Sequence, residues 1–423
     1  MTPTPTVTPT IVPYATRVSK LQQVFTHHLP PTLTPSGSEL HNYTGISSVR
    51  VIPLKNADGD AEYYAVYSTG SRRVSPLQNH FVAIYSYTGN LWTQVSRVDI
   101  SGVDLVRVGA LKQVQLEPNN FWMQYKSRTG VHASCYHILQ FNGVHLRNMV
   151  TDCSSSPNAG ELRDLNGDED LEIVINRSND YVFCYECGLK IWSFGVWRCV
   201  GTHIVEVDLK ILPQNASESI RELNNAAVKL AEAELWKDAQ NLILQAIKIA
   251  PDNQAVKWNA VKINLIANAR NAALEDSPYP ILSQVFYGDY DAAVDIMREY
   301  SPEEIFNEDS PLLVDTIAEQ YRKSLYNHVV SFSSNALKGD PDLASAYFLR
   351  GWVKYINGSN YSDVMEDLSK AADLVPADKF FVESVLYILN NGDIVSKRSF
   401  ENGYYKIFFN FISLWSNFEF EGL

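Results

Sequence analysis

The sequence predicts a multidomain chain in which an all-β region is followed by an all-α region. Short segments of alternating apolar residues recur through the first half, and the apolar period becomes 3.6 residues from Ser217 onward. The net charge of −13 also lies almost entirely in residues 211–423, where 30 Asp and Glu accompany 18 Lys and Arg. These three observations indicate two regions of different character.

A length of 423 residues is typical of two or three domains, and a hydrophobic content of 45% is enough to build their cores. An acidic chain without a basic stripe argues against nucleic acid as a partner. We predict four segments: a Thr/Pro-rich linker or stalk over 1–15, a β-repeat domain over 16–212, a helical-repeat domain over 216–395, and a capping helix or tail over 396–423.

The first ten residues are mainly Thr and Pro, a composition that favours extended polyproline II and cannot bury a core. Such stalks are typical of exported chains, where they follow an export signal or a lipid anchor. We therefore expect an extracellular or cell-surface protein of bacterial type, whose export signal is missing from this sequence. Membrane attachment is expected only through a missing N-terminal anchor. A disordered tail on a cytosolic protein is the alternative.

The first half contains a threefold repeat. Residues 49–55 recur as residues 106–112, with a weaker copy at 159–163, and each copy leads into a polar loop. Downstream, an alternating apolar strand ends in Gly, and another strand follows that Gly as in a hairpin. The Gly-terminated strands are predicted at residues 81–89, 135–143 and 187–195. The repeating unit is therefore one loop with about four short strands.

The third loop carries oxygen-bearing side chains at alternate positions before an apolar strand. These side chains belong to Asp164, Asn166, Asp168, Asp170 and Glu172. Because Ca²⁺ takes six to eight oxygen ligands at flexible geometry, the pattern predicts a calcium site. An EF-hand would need Glu at position 12 and flanking helices, but position 12 here is Ile175 and an apolar strand follows. A dockerin loop also continues into a helix, so neither class fits this loop. A polar turn that binds no ion is the plain structural alternative.

The other two loops are weaker copies of the third. The first loop is two residues shorter and predicts a weaker second site, formed by Asn56, Asp58, Asp60 and Glu62. The second loop has Gln113 and Gln115 where acids would stand, and we predict that it binds no ion. The series predicts affinities of roughly 10⁻⁴–10⁻³ M, the range of extracellular calcium modules.

Together, residues 45–210 resemble the FG-GAP/VCBS repeats of extracellular β-propellers, whose loops read D-x-[DN]-G-D-G-x-x-[DE]-[LI]. The resemblance implies a β-propeller-like repeat domain that Ca²⁺ stabilises. The third loop departs from the family at Glu169, where Gly is usual and eases a sharp turn. Three units are few for a closed propeller, which typically has four to eight blades. Either residues 11–45 add strands, or the array is open.

The second half reads as helix pairs. Residues 220–230 and 236–250 form amphipathic helices that Pro251 ends, and residues 345–355 and 364–376 form a second such unit. Residues 288–293 are typical of another turn between helices. These spacings resemble the tetratricopeptide (TPR) repeat over about residues 216–395. The resemblance implies an α-solenoid of three to five units whose groove binds a protein or peptide partner.

The remaining features do not indicate an active site. No nucleophile elbow, HExxH, Walker or GxGxxG motif is present, so we predict that the protein is not an enzyme. Cys184 and Cys187 form a C-x-x-C motif between predicted strands, where one or two disulfides or buried thiols are favoured over redox or zinc chemistry. The apolar stripe over 407–418 predicts a helix that covers the last repeat, or else a membrane-surface or partner helix.

These observations predict a non-enzymatic extracellular or cell-surface protein. Its β-repeat domain would be stabilised by Ca²⁺, and its TPR-like solenoid would bind other proteins or peptides, or act as a scaffold. The alternative is a secreted glycan-binding or sensor accessory protein, in which Trp92, Trp192 and Trp197 would contact the sugar. Because these tryptophans occupy alternating strand positions, core packing competes with that role.

Overall fold

The computed structural model describes residues 46–71, 79–88, 91–201 and 203–391. An all-β region is followed by a helical region, which confirms the predicted fold class at this level. The predicted stalk over 1–15 and the predicted tail over 396–423 lie outside the described residues. Among the helices that are described, none has the length and apolarity of a membrane-spanning helix.

The chain divides into two compact units. The β unit comprises Met1–Asp180 and Ile191–Asp208, and the helical unit comprises Tyr181–Lys190 and Leu209–Leu423. In the described part of the β unit, the strands are β1 (Ile46–Lys55), β2 (Ala61–Ser71), β3 (His80–Thr88), β4 (Leu91–Ile100), β5 (Leu105–Val106), β6 (Leu111–Val114), β7 (Phe121–Arg128), β8 (Ser134–Phe141), β9 (Leu146–Ser154), β10 (Gly160–Arg163), β11 (Glu172–Asn176), β12 (Phe194–Val200) and β13 (His203–Glu206).

The strands form three antiparallel four-stranded meanders, one for each predicted repeat. These are β1–β4, β6–β9 and β10–β13, with each strand paired to the next. The short strand β5 pairs with both β2 and β7, and it thereby joins the first two meanders into one nine-stranded sheet. The predicted unit of about four strands therefore recurs, but two of the three units share a sheet.

The strand alternation places successive side chains in different cores. On β7, Met123 belongs to a core shared with the first meander, whereas Trp122 belongs to a core shared with the third. Likewise, Phe141 and Ile138 of β8 lie in these two different cores. Every position of β8 is buried, as expected for a strand covered on both faces.

One predicted strand differs from the structure. Residues 187–193 contain only an isolated bridge between Asn179 and Ile191, and β12 begins at Phe194. The physical reason is that the chain turns at this point, because the Cys184–Cys187 disulfide closes a short turn and Gly188 has a left-handed φ of 74°. Just before this turn, the carbonyl of Val182 accepts hydrogen bonds from Ser324 Oγ and His328 Nε2. Those partners belong to the helical unit, as Val182 itself does.

The described residues of the helical unit contain ten α-helices. They are α1 (Glu218–Glu232), α2 (Trp236–Ile249), α3 (Gln254–Ala272), α4 (Pro280–Tyr287), α5 (Tyr290–Met297), α6 (Pro302–Ile305), α7 (Arg322–Gly339), α8 (Ala344–Ile356), α9 (Tyr361–Leu374) and α10 (Lys379–Asn391), with a 3-10 turn at Glu319–Tyr321.

The two helix pairs predicted from their spacing are α1–α2 and α8–α9, and both are present. Of the turn predicted at 288–293, only residues 288–289 lie between α4 and α5, where Gly288 has a φ of 85° and Asp289 caps α5, while residues 290–293 form the first turn of α5. Small residues permit close packing within the unit. A Cβ on Gly351 would lie 2.8 Å from the Leu368 side chain, and one on Gly288 would lie 2.7 Å from the Leu235 Cα.

Candidate functional site

The third predicted loop connects β10 to β11 as a hairpin, in which Arg163 pairs with Glu172. Two residues in the loop have left-handed backbone conformations, Gly167 with a φ of 76° and Glu169 with a φ of 70°. The position where the resembling family usually has Gly therefore does adopt the conformation that favours Gly. A non-Gly residue there costs roughly 1–2 kcal/mol, which the surrounding hydrogen bonds must offset.

The carboxylate of Asp164 organises the loop backbone. Its Oδ1 accepts hydrogen bonds from the backbone N–H of Gly167 at 2.7 Å and of Asn166 at 3.2 Å, and its Oδ2 accepts from Glu169 at 3.1 Å. These bonds, chiefly the one from Gly167, hold the pKa of Asp164 below its usual value. Asp164 is therefore ionised, as a calcium ligand must be.

Two further side chains continue the same pattern. The Oδ1 of Asn166 accepts from the backbone N–H of Asp168 at 3.0 Å, and the Oδ1 of Asp168 accepts from that of Asp170 at 3.1 Å. In each case a side-chain oxygen accepts from the backbone N–H two residues later, which is an Asx-turn. The successive Asx-turns bend the backbone into a tight loop that carries all the oxygen-bearing side chains.

Glu172 closes the loop from its buried end. Its side chain is only 2% exposed, and its Oε2 accepts a hydrogen bond from the backbone N–H of Leu165 at 2.8 Å. Burial raises the pKa of Glu172, and the negative charges of Asp168, Asp164 and Asp170 raise it further. A carboxylate that is buried among other carboxylates would be stabilised by a bound cation.

The donor set fits calcium in its chemistry. It supplies four carboxylates and one amide oxygen, and it contains no sulfur or imidazole ligand of the kind zinc prefers. However, the side chains do not yet converge, because no three His, Cys, Asp or Glu side chains in the described ranges are arranged to hold a metal ion. Binding would therefore require these side chains to rearrange.

The residues predicted to form a weaker first site lie in a tight hairpin between β1 and β2 and on the start of β2. Asn56 and Asp60 face each other, since Asn56 N donates to Asp60 O and Asp60 N donates to Asn56 Oδ1, both at 2.9 Å. Gly59 has a φ of 84°, and Asp58, Asp60 and Glu62 are all exposed. The structure therefore places these residues on one short turn and its adjoining strand, but it provides no buried carboxylate equivalent to Glu172.

The second predicted loop, expected to bind no ion, is not all loop, because its first residue, Gln113, lies on β6 and pairs with Met123. The Gln113 side chain donates to the carbonyl of Lys55 at 2.7 Å and accepts from its N–H at 2.8 Å. Through its side-chain amide, Gln113 therefore donates one hydrogen bond to the backbone of the preceding meander and accepts another from it. An acid at this position could accept from the Lys55 N–H but could not donate to the Lys55 carbonyl.

Sequence reasoning missed three asparagines in the helical unit. Asn224 and Asn225 lie on α1 and Asn259 on α3, and together they hydrogen-bond the backbone of Lys210 and Leu212. Asn224 and Asn259 are fully buried. The available signal was the presence of asparagine, a poor helix former, in the interior of two helices.

The tryptophans considered for glycan binding are all partly buried. Trp92 packs edge-on against Tyr64 with ring centroids 5.0 Å apart, and the Arg177 guanidinium lies 4.8 Å from the Trp197 ring centroid. Trp192 stacks on Phe194 at 6.0 Å. These contacts give each indole a packing role, and glycan binding stays a prediction.

The cysteines form two disulfides, Cys135–Cys153 and Cys184–Cys187, and Cys199 is unpaired. Cys135 and Cys153 occupy directly paired positions on β8 and β9. Cys184 and Cys187 close a short turn in Tyr181–Lys190, where Phe183 stacks on Tyr321 at 5.3 Å. Burial raises the pKa of Cys199 to about 11, so its thiol is unreactive at neutral pH.

The sequence matches no protein-family model. No curated protein matches it significantly either.

Proposed function

We propose that this protein is a non-enzymatic extracellular or cell-surface protein that binds other proteins or acts as a scaffold. Its β unit would be a propeller-like repeat domain stabilised by Ca²⁺, and its helical unit would be a TPR-like solenoid that binds a protein or peptide. The observation that carries the proposal is the recurrence of helix pairs joined by very short turns.

Three helix pairs support the solenoid. The turns that join them are residues 233–235 between α1 and α2, 288–289 between α4 and α5, and 357–360 between α8 and α9. Helices joined by two to five residues form αα-hairpins, the building block of helical repeat proteins. Such a hairpin cannot bury its apolar face alone, so hairpins stack and leave an extended surface for binding a partner.

The Asp164–Glu172 loop supports the calcium assignment. Glu172 is buried with three other carboxylates close enough to raise its pKa, so the loop carries a concentration of negative charge that an ion would relieve. In this proposal the ion is a staple for the β10–β11 hairpin, and its ligands are Asp164, Asn166, Asp168, Asp170 and Glu172. The first loop would bind more weakly because its carboxylates are exposed.

The disulfides support export. Disulfides form and persist in oxidising compartments and are rare in the cytosol. Cys135–Cys153 links β8 to the neighbouring strand β9, and Cys184–Cys187 closes a turn that packs within the helical unit. Both fit a chain that folds outside the reducing cytosol.

Peptide binding is tested by selecting a phage-displayed library of random linear peptides on the immobilised full-length chain. We expect the selected peptides to share a short motif and to bind in fluorescence anisotropy with micromolar affinity. Scrambled versions of the same peptides are the matched controls. Selection without a shared motif, or equal binding of scrambled peptides, would overturn the proposal.

A further inference from the structure

The helical unit holds a segment of its own chain, Lys210–Leu212, through hydrogen bonds to its main chain. The Asn259 amide accepts from Lys210 N at 2.8 Å and donates to Lys210 O at 2.7 Å. Two residues on, the Asn225 amide accepts from Leu212 N at 2.6 Å and donates to Leu212 O at 3.1 Å. Lys210 and Leu212, two residues apart, are therefore each hydrogen-bonded at both the backbone N–H and the backbone C=O, as alternate residues are in a strand pairing.

Asn224 completes the arrangement. Its Nδ2 donates to Lys210 O at 2.9 Å, and its Oδ1 accepts from Asn259 Nδ2 at 2.7 Å. Asn224 and Asn259 are both 0% exposed. Because a buried amide without partners costs about 1–3 kcal/mol, these side chains require a backbone seated on them. We name Asn224, Asn225 and Asn259 the asparagine clamp.

The clamp imposes few demands on side chains. Lys210 and Ile211 point to solvent, with Ile211 70% exposed, whereas Leu212 is only 6% exposed. The main chain is thus held at the first and third residues, and an apolar side chain is required only at the third. Any extended peptide with an apolar residue at that position has the same features.

We propose that the asparagine clamp is a binding site for an extended peptide of a partner protein, and that Lys210–Leu212 occupies it as an internal competitor. This inference deepens the proposed function and rests on it, because it assigns the peptide-binding role to three residues. The internal segment is tethered a few residues before α1, so its effective concentration is high, of millimolar order. A partner peptide therefore binds well only when the segment is displaced.

The test uses the full-length chain and a fluorescein-labelled peptide with the sequence of residues 207–214. In the Leu212→Glu variant the segment loses its apolar anchor, and we expect the peptide to bind at least ten times more tightly than to the unchanged chain. Adding Asn259→Ala should abolish this gain. The matched control is Asn268→Ala on the same helix, which should leave it intact. A peptide methylated at the Lys210 and Leu212 amide nitrogens should not bind.

Equal binding to the unchanged chain and to Leu212→Glu, or binding that survives Asn259→Ala, would overturn the inference. If Leu212→Glu does not fold by circular dichroism, hydrogen exchange on the unchanged chain decides: excess peptide should accelerate exchange of the Leu212 amide, and unchanged exchange contradicts the clamp. Library-selected peptides that bind independently of Asn259 would contradict the clamp as the binding site but would remain consistent with the proposed function. Absence of all peptide binding would sink both.

Discussion

Glu172 Oε2 accepts a hydrogen bond from the backbone N–H of Leu165 at 2.8 Å, so the last predicted ligand is tied to the start of its own loop. This bond favours the charged form of Glu172. Burial and the neighbouring carboxylates disfavour that form, and they raise the pKa of Glu172. Without an ion, the charge on Glu172 lowers the stability of the β unit. With an ion, it becomes a ligand.

Glu172→Gln is therefore expected to maintain or raise the melting temperature of the β unit in EGTA, where its charge is uncompensated. The measurement is differential scanning calorimetry at neutral pH. The control is Glu161→Gln on β10, an exposed residue whose pair with Arg163 is long at 3.7 Å, and its effect should stay within about 0.5 kcal/mol. A clear loss of stability in Glu172→Gln would mean that its charged acceptor role dominates.

Gly288→Ala and Gly358→Ala form a matched pair in the helical unit. Both glycines have positive φ, 85° and 70°, but only Gly288 has close neighbours, with Leu235 Cα at 2.7 Å and Glu234 O at 2.8 Å from an added Cβ. Gly358→Ala should cost about 1 kcal/mol in the free energy of unfolding, from backbone strain alone. Gly288→Ala should cost a further 1–3 kcal/mol, roughly, from the clash. Equal losses in chemical denaturation would contradict the close packing of this turn.

The β unit should lose stability between pH 6.5 and about 4 because of His137. Its ring is buried between Ser127 Oγ at 3.1 Å and Thr151 Oγ1 at 2.9 Å, and burial lowers its pKa to about 4. The unfolded chain, with a His pKa near 6.5, binds the proton first, so stability falls as pH falls. By pH 5 the loss should be about 2 kcal/mol in urea denaturation. His137→Gln should remove most of this pH dependence, and an unchanged slope would contradict it.

The two disulfides should differ in their effects. Replacing Cys135 and Cys153 by Ser opens a loop with a sequence separation of 18, and the β unit should lose about 3 kcal/mol. Replacing Cys184 and Cys187, separated by 3, should cost the helical unit roughly half as much. Two calorimetric transitions would report the units separately.

Alkylation of the denatured, non-reduced chain should label Cys199 alone, and labelling of all five cysteines would contradict both bonds.

The sequence predicted those elements whose pattern is local. Period-2 alternation and Gly-terminated strands located β3 and β8, and the 3.6-residue period located α1, α2, α8 and α9. The left-handed turn at Glu169 was indicated only by the resemblance, since the loops of that family usually have Gly at this position.

The contacts that pattern alone could not reveal join residues far apart in the chain. The β5 strand that merges two meanders has only two residues, too few to show periodicity. The segment over 187–193 alternates like a strand, yet its first part belongs to the helical unit, which includes Tyr181–Lys190. Asn259 and Lys210 are 49 residues apart, and nothing local to either residue indicates their pairing.

Calcium binding at the Asp164–Glu172 loop is tested most directly by calorimetric melting of the full-length chain in EGTA and in about 10 mM Ca²⁺. With an affinity of roughly 10⁻⁴–10⁻³ M, the β-unit transition should gain about 1.5–3 kcal/mol. Asp164→Ala should abolish this gain, whereas Asp58→Ala in the first loop should preserve most of it. The absence of any calcium-dependent shift in the unchanged chain, or a full shift that persists in Asp164→Ala, would contradict the assignment.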